Sequence, residues 1–189
     1  MLKSYKKHVQ ERADLNIPPL PLDADQTSQL VELLKSEHDE SDFLLNLFKE
    51  RVPAGVDQAA YVKAAFLADI SEGNASSPYI DNIEAVKILG TMLGGYNIQP
   101  LIKCLKNDEL AATAVDTLSK TLLIFDAFNE IFELSKTNKY AEQVIKNWAD
   151  ATWFTDKQDL PKKIKLTVYK VSGEINTDDL SPAPDAWSR

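Results

Sequence analysis

Thr177-Asp178-Asp179-Leu180-Ser181-Pro182-Ala183-Pro184-Asp185-Ala186-Trp187-Ser188-Arg189 is the stretch of this chain whose residue types point to chemistry rather than packing. Arg189 carries a planar guanidinium that can fork onto a carboxylate through two parallel N–H donors. Asp178 and Asp179 can position a hydroxyl, a water or the arginine itself, and Ser181 adds a hydroxyl donor. Together they suit a small anion, above all a polycarboxylate. The same composition also suits a solvated turn, because Asp, Ser and Pro are ordinary loop residues.

The other reactive side chains are few. Cys104 is the single cysteine, so no disulfide forms within the chain. One thiol with His8 and His38, thirty positions apart, cannot close a metal site. An iron–sulfur cluster usually needs three or four thiolates, so any cluster this protein serves has its ligands outside this chain. Cys104 lies between Lys103 and Leu105 and reads as a small buried hydrophobe rather than a nucleophile. No catalytic or metal-binding residue is assigned.

A net charge of −8 over 189 residues lowers the expectation of constitutive nucleic-acid binding. The first twelve residues are locally basic through Lys3, Lys6, Lys7 and Arg12, a pattern typical of a solvated helix face. No apolar run reaches the roughly 18–20 residues of a membrane span. The charged start, MLKSYKKHVQERAD, lacks the apolar core of a secretory signal, so the expected location is cytoplasmic.

Two periodicities position these residues. Residues 1–155 read as helix and residues 164–171 as strand, with a polar, Pro-containing linker over 156–163. Leu2, Tyr5, Val9 and Ala13 make the first helical stripe, ended by Pro18, Pro19 and Pro21. Asp23 or Asp25 is expected to cap a helix bearing Leu30, Leu33 and Leu34, and Ser41 one bearing Phe43, Leu44, Leu47 and Phe48. Asp57 is expected to cap Gln58–Ile70, with a stop at Glu72-Gly73-Asn74. Ile83 to Leu89 marks a helix closing at Gly94-Gly95, and Ile98 to Leu105 one with Pro100 in its first turn. A long segment from Leu110 to Leu134, capped by Asn107 or Asp108 and broken near Asp126, precedes a last helix through Tyr140, Val144, Ile145 and Trp148. Trp148, Trp153 and Phe154 are expected to seal the end of the helical domain against the linker.

Eight or nine helices with a pair-to-pair pitch of about 40 residues suggest a HEAT-like repeat, an irregular bundle being the alternative. Ile164, Leu166 and Val168 alternate with Lys165, Thr167 and Tyr169, as in a half-buried strand. A lone strand has no partners for its edges, so 164–189 is read as the incomplete start of a second domain. The fold class is mainly α: a HEAT-like domain followed by the first strand and loop of a truncated α/β domain.

The closing loop resembles the Thr-Asp-(His/Asp)-x-Ser-Pro segment that opens the swivel domain of aconitases. Arg51-Val52-Pro53-Ala54-Gly55-Val56-Asp57-Gln58-Ala59-Ala60-Tyr61-Val62-Lys63-Ala64 and Gly90-Thr91-Met92-Leu93-Gly94-Gly95-Tyr96-Asn97-Ile98-Gln99-Pro100-Leu101-Ile102 resemble the helical domain of the bacterial aconitase B family, as does Val171-Ser172-Gly173-Glu174-Ile175-Asn176-Thr177. The resemblance covers essentially the whole chain. It implies the N-terminal part of a tricarboxylic-acid-cycle hydro-lyase. Such an enzyme interconverts citrate and isocitrate through cis-aconitate on a 4Fe-4S cluster, with 2-methylisocitrate chemistry in the same family. It implies Arg189 as a substrate-binding arginine, with Asp178 and Ser181 beside it, and no activity for this segment alone. Asp179 departs from the His of most aconitases, and no catalytic role is carried to Gln99. The family also allows a second kind of role for the helical domain: dimerisation, contacts with metabolic enzymes, or mRNA binding by the cluster-free protein.

Overall fold

The computed structural model describes residues 1–122, 124–156, 161–168 and 173. Among these the regular structure is helical: α1 (Leu2–Asp14), α2 (Ala24–Leu34), α3 (Ser41–Asn46), α4 (Gln58–Glu72), α5 (Asn82–Leu89), α6 (Ile98–Cys104), α7 (Ala111–Lys120), α8 (Asp126–Ser135), α9 (Lys139–Ala149) and α10 (Thr152–Thr155). A π-helical turn, Leu47–Arg51, continues α3.

Several helix ends follow from local chemistry. The Asp23 side chain accepts from the Gln26 N–H, and Gln26 returns a bond to the Asp23 N–H, which closes a reciprocal capping box on α2. Asp81 caps α5 through the Glu84 N–H at 2.7 Å, and Asn138 caps α9 through Tyr140 and Ala141. Gly73, at φ 77°, ends α4 in the left-handed region that glycine enters without Cβ strain.

Other ends differ from the sequence reading. Ser41 is the first residue of α3 and Glu40 stands at its cap, with no side-chain cap bond. Asp57 occupies the cap of α4, but its side chain accepts no cap bond. The Asn107 side chain instead bonds the Glu109 N–H, while Leu110 stands at the cap of α7. α5 stops at Leu89, five residues before Gly94, because residues 90–97 fold back as a turn.

Packing follows chain order. α2 lies on α4, α4 on α5, α5 on α7, and α7 and α8 both on α9, so each helix meets helices one to three places along the chain. The shared core holds Leu30, Leu34, Leu44, Phe48, Leu67, Ile70, Leu89, Leu101, Leu118 and Ile131. Each large side chain buried there contributes about 1.5–3 kcal/mol of transfer free energy. α1 is tied mainly to the proline connector: Tyr5 Oη donates to Leu20 O at 2.9 Å, Arg12 Nε to Pro18 O at 2.7 Å, and Leu20 N donates to His8 Nε2 at 2.9 Å.

Trp148 seals α9 against α7, its indole N–H donating to Leu118 O at 3.0 Å. Trp153 and Phe154 are exposed and meet each other edge to face, and residues 157–160 of the linker expected to meet them lie outside the described residues. Residues 164–168 make no sheet pairing among the described residues, and Leu166 and Val168 are 75% and 85% exposed. A strand needs a neighbour for its N–H and C=O groups, and no described residue supplies one.

Candidate functional site

The sequence-predicted binding residues Asp178, Ser181 and Arg189 lie outside the described residues, as does Asp179. The described structure does, however, bring together the two internal segments singled out with them. Residues 52–57 and 90–97 dock backbone to backbone. Leu93 N donates to Ala54 O at 2.7 Å, and Tyr96 Oη donates to Val56 O at 3.0 Å. A Cβ on Gly94 would stand 1.8 Å from Gly55 O, so only glycine permits the contact. Tyr61 and Tyr96 meet edge to face at 5.4 Å. Below the turn, buried Asn97 donates its Nδ2 to Leu89 O and Met92 O, at 2.8 and 3.1 Å. Gly94-Gly95 therefore works as a structural turn.

A cleft lies beside this junction. Lys49, Glu50, Ala54, Lys63, Lys87 and Thr91 contribute to its walls, and its volume is about 450 Å³. At its floor Lys63 is 1% exposed. Its ammonium donates to the Lys49 carbonyl of the π-helical turn at 3.2 Å and sits 5.3 Å from the centre of the Phe48 ring. Burial pushes this amine down to about 8; the nearby Lys49 charge acts the same way and Glu50 opposes it. At the rim, Lys49 pairs with Glu84 at 2.6 Å. Sequence reading missed Lys63, although a signal was present. It stands with Ala60, Leu67 and Ile70 at the 3–4 spacing of α4's buried stripe, where a lysine is out of place.

The remaining candidates have structural roles. Cys104 is buried, and burial raises its thiol above the ordinary value while the neighbouring Ser71 hydroxyl opposes the rise. His8 and His38 each accept a backbone N–H, from Leu20 and Glu40. Part of the basic arm is neutralised internally, Lys6 by Glu40 and Lys7 by Glu11. No group of three or more metal-ligating side chains occurs among the described residues, and the chain has one cysteine. The residues present do not fit an iron–sulfur cluster. No helix among the described residues is long and apolar enough to cross a membrane.

Residues 4–154 match the family model described as the aconitate B N-terminal domain, and residues 166–189 match that of the aconitate hydratase 2 N-terminus. The chain belongs to the aconitase B N-terminal family. Along its whole length it is 56% identical to aconitate hydratase B of Pseudomonas aeruginosa and of Escherichia coli, and 54% identical to that of Synechocystis. In each case it spans 22% of the relative's length. The two segments docked at Gly55 and Gly94 both fall within the first matched region, and residues 178–189 fall within the second.

Proposed function

We propose that this chain is the N-terminal segment of an aconitate hydratase that interconverts citrate and isocitrate through cis-aconitate in the tricarboxylic acid cycle, and that also hydrates 2-methyl-cis-aconitate. The observation that carries this reading is the match to aconitate hydratases B over the full 189 residues, the closing loop included. A 4Fe-4S cluster in such an enzyme would supply Lewis-acid chemistry, held by ligands in the rest of the protein and not by residues of this chain. Residues 1–155 form the accessory helical domain, of HEAT type. The packing of each helix on near neighbours in sequence supports this, since repeat arrays are built that way. Residues 156–163 link it to the swivel domain that begins at 164.

In this reading Arg189 grips a substrate carboxylate through its two-pronged fork, and Asp178 and Ser181 hold that fork and a substrate hydroxyl in place. The segment alone is inactive because it lacks the cluster ligands. The test is Arg189→Lys in the full-length enzyme after anaerobic iron and sulfide reconstitution. Lysine keeps the charge and loses the fork. The expected result is a fall in kcat/KM on the order of 10²-fold with an unchanged cluster spectrum. Unchanged kinetics would make the loop structural.

A further inference from the structure

We propose that the outward face of α8, built on Phe128 and Phe132, is an interface within the polypeptide, covered by the domain that opens at residue 164. This rests on the reading of 164 onward as the start of a second domain, and not on the chemistry that the whole enzyme performs.

Spacing assembles the face. Phe125, Phe128 and Phe132 stand at i, i+3 and i+7, which is one side of a helix. They are 77%, 44% and 46% exposed. Phe128 and Phe132 stack nearly parallel with ring centres 6.2 Å apart, and Phe128 stacks in turn on Trp148 of α9 at 6.0 Å. The inner side of the same helix is anchored, since Ile131 is fully buried in the shared core. The outward rings are thus held by their neighbours, and rings already fixed lose little freedom when a partner covers them. A contiguous aromatic face of this kind is the composition of an interface centre.

Charge selects the kind of occupant. Lys136 borders the face, 5.5 Å from the centre of the Phe132 ring, but Glu133 already meets its charge at 2.6 Å. An apolar surface suits such a face, and a polyanion, which needs cations to neutralise it, does not.

Position selects which apolar surface. α8 packs on α9, and so does α10, the last helix of the helical domain. Residues 156–163 reach at most about 30 Å beyond it even when fully extended. The two family matches, 4–154 and 166–189, fall on either side of this tether. A domain held on so short a tether meets α8 at a roughly millimolar effective concentration, which a second copy at micromolar concentration does not match. Ile164, Leu166 and Val168 are themselves exposed, so uncovered apolar side chains stand at both ends of the tether. In proteins of the relatives' length about four-fifths of the polypeptide lies outside these residues, ample to cover both.

The test is hydroxyl-radical footprinting of the reconstituted full-length enzyme, read by peptide mass spectrometry. Phe48 and Phe66, buried in the core, set the level of a covered phenylalanine, and the same rings in urea set that of an open one. The expected result is loss of modification at Phe128 and Phe132 down to the level of Phe48, unchanged on dilution. Modification of these two rings well above the core level would overturn the proposal. Protection that fades on dilution would assign the face to a second copy and overturn it equally. Citrate isomerisation is assayed on the same sample. Covered rings in an inactive preparation would keep the interface and count against the enzyme reading, whereas open rings in an active one would overturn the interface alone.

Discussion

Replacing Lys63 by methionine keeps an unbranched stem as far as Cε and removes the buried ammonium. In the folded chain burial holds the amine at about 8, whereas the unfolded chain has the ordinary 10.5. Below about pH 8 both states are protonated, and the folded state carries the full desolvation penalty of roughly 3 kcal/mol at about 1.4 kcal/mol per pKa unit. Between about 8 and 10.5 the unfolded chain binds more protons, so the wild type gains stability as pH rises. Methionine has no such dependence. The advantage of Lys63→Met over wild type should therefore shrink by about 2 kcal/mol between pH about 7 and about 9.5. The constant terms, namely the altered packing and the lost bond to the Lys49 carbonyl, about 1 kcal/mol, cancel in that difference. So do the titrations of all other groups, which the two proteins share. Urea unfolding of both proteins across this range measures it. A difference that stays flat, or one that grows with pH, would refute a buried lysine with a lowered pKa.

Gly94→Ala should destabilise the chain by about 3 kcal/mol, because its Cβ meets Gly55 backbone that has no rotamer to move. Gly95→Ala, at φ 88° with open space around it, should cost only about 1 kcal/mol, and chemical denaturation compares the two. Cys104 should resist thiol reagents at pH about 8 and react fully once the chain is unfolded in denaturant, because burial both shields the thiol and keeps it protonated.

Much of the helical layout was legible from local rules. Asp23 capped α2, Gly73 stopped α4, Pro100 fell in the first turn of α6, and a break near Asp126 separated α7 from α8. Other expected caps did not form as predicted. Asn107 turned its side chain to the Glu109 N–H, and Asp57 stood at its cap without accepting a bond. Aromatic residues at a helix end suggest a seal, yet Trp153 and Phe154 stay exposed.

The sequence by itself determined what depends on neighbours along the chain. Helix stripes, proline stops, the single cysteine and the family match of residues 166–189 are all of this kind. Only the tertiary structure decided what depends on distant segments meeting. Glycines 55 and 94 are thirty-nine positions apart, and each alone reads as a loop residue; their backbones touch because residues 52–57 and 90–97 fold onto each other. Lys63 stands on the buried stripe of α4 by its 3–4 spacing, but spacing does not say what covers it. It becomes a buried amine at the floor of a cleft because the π-helical turn and α5 close over α4 there, and that closure is a property of packing and not of spacing.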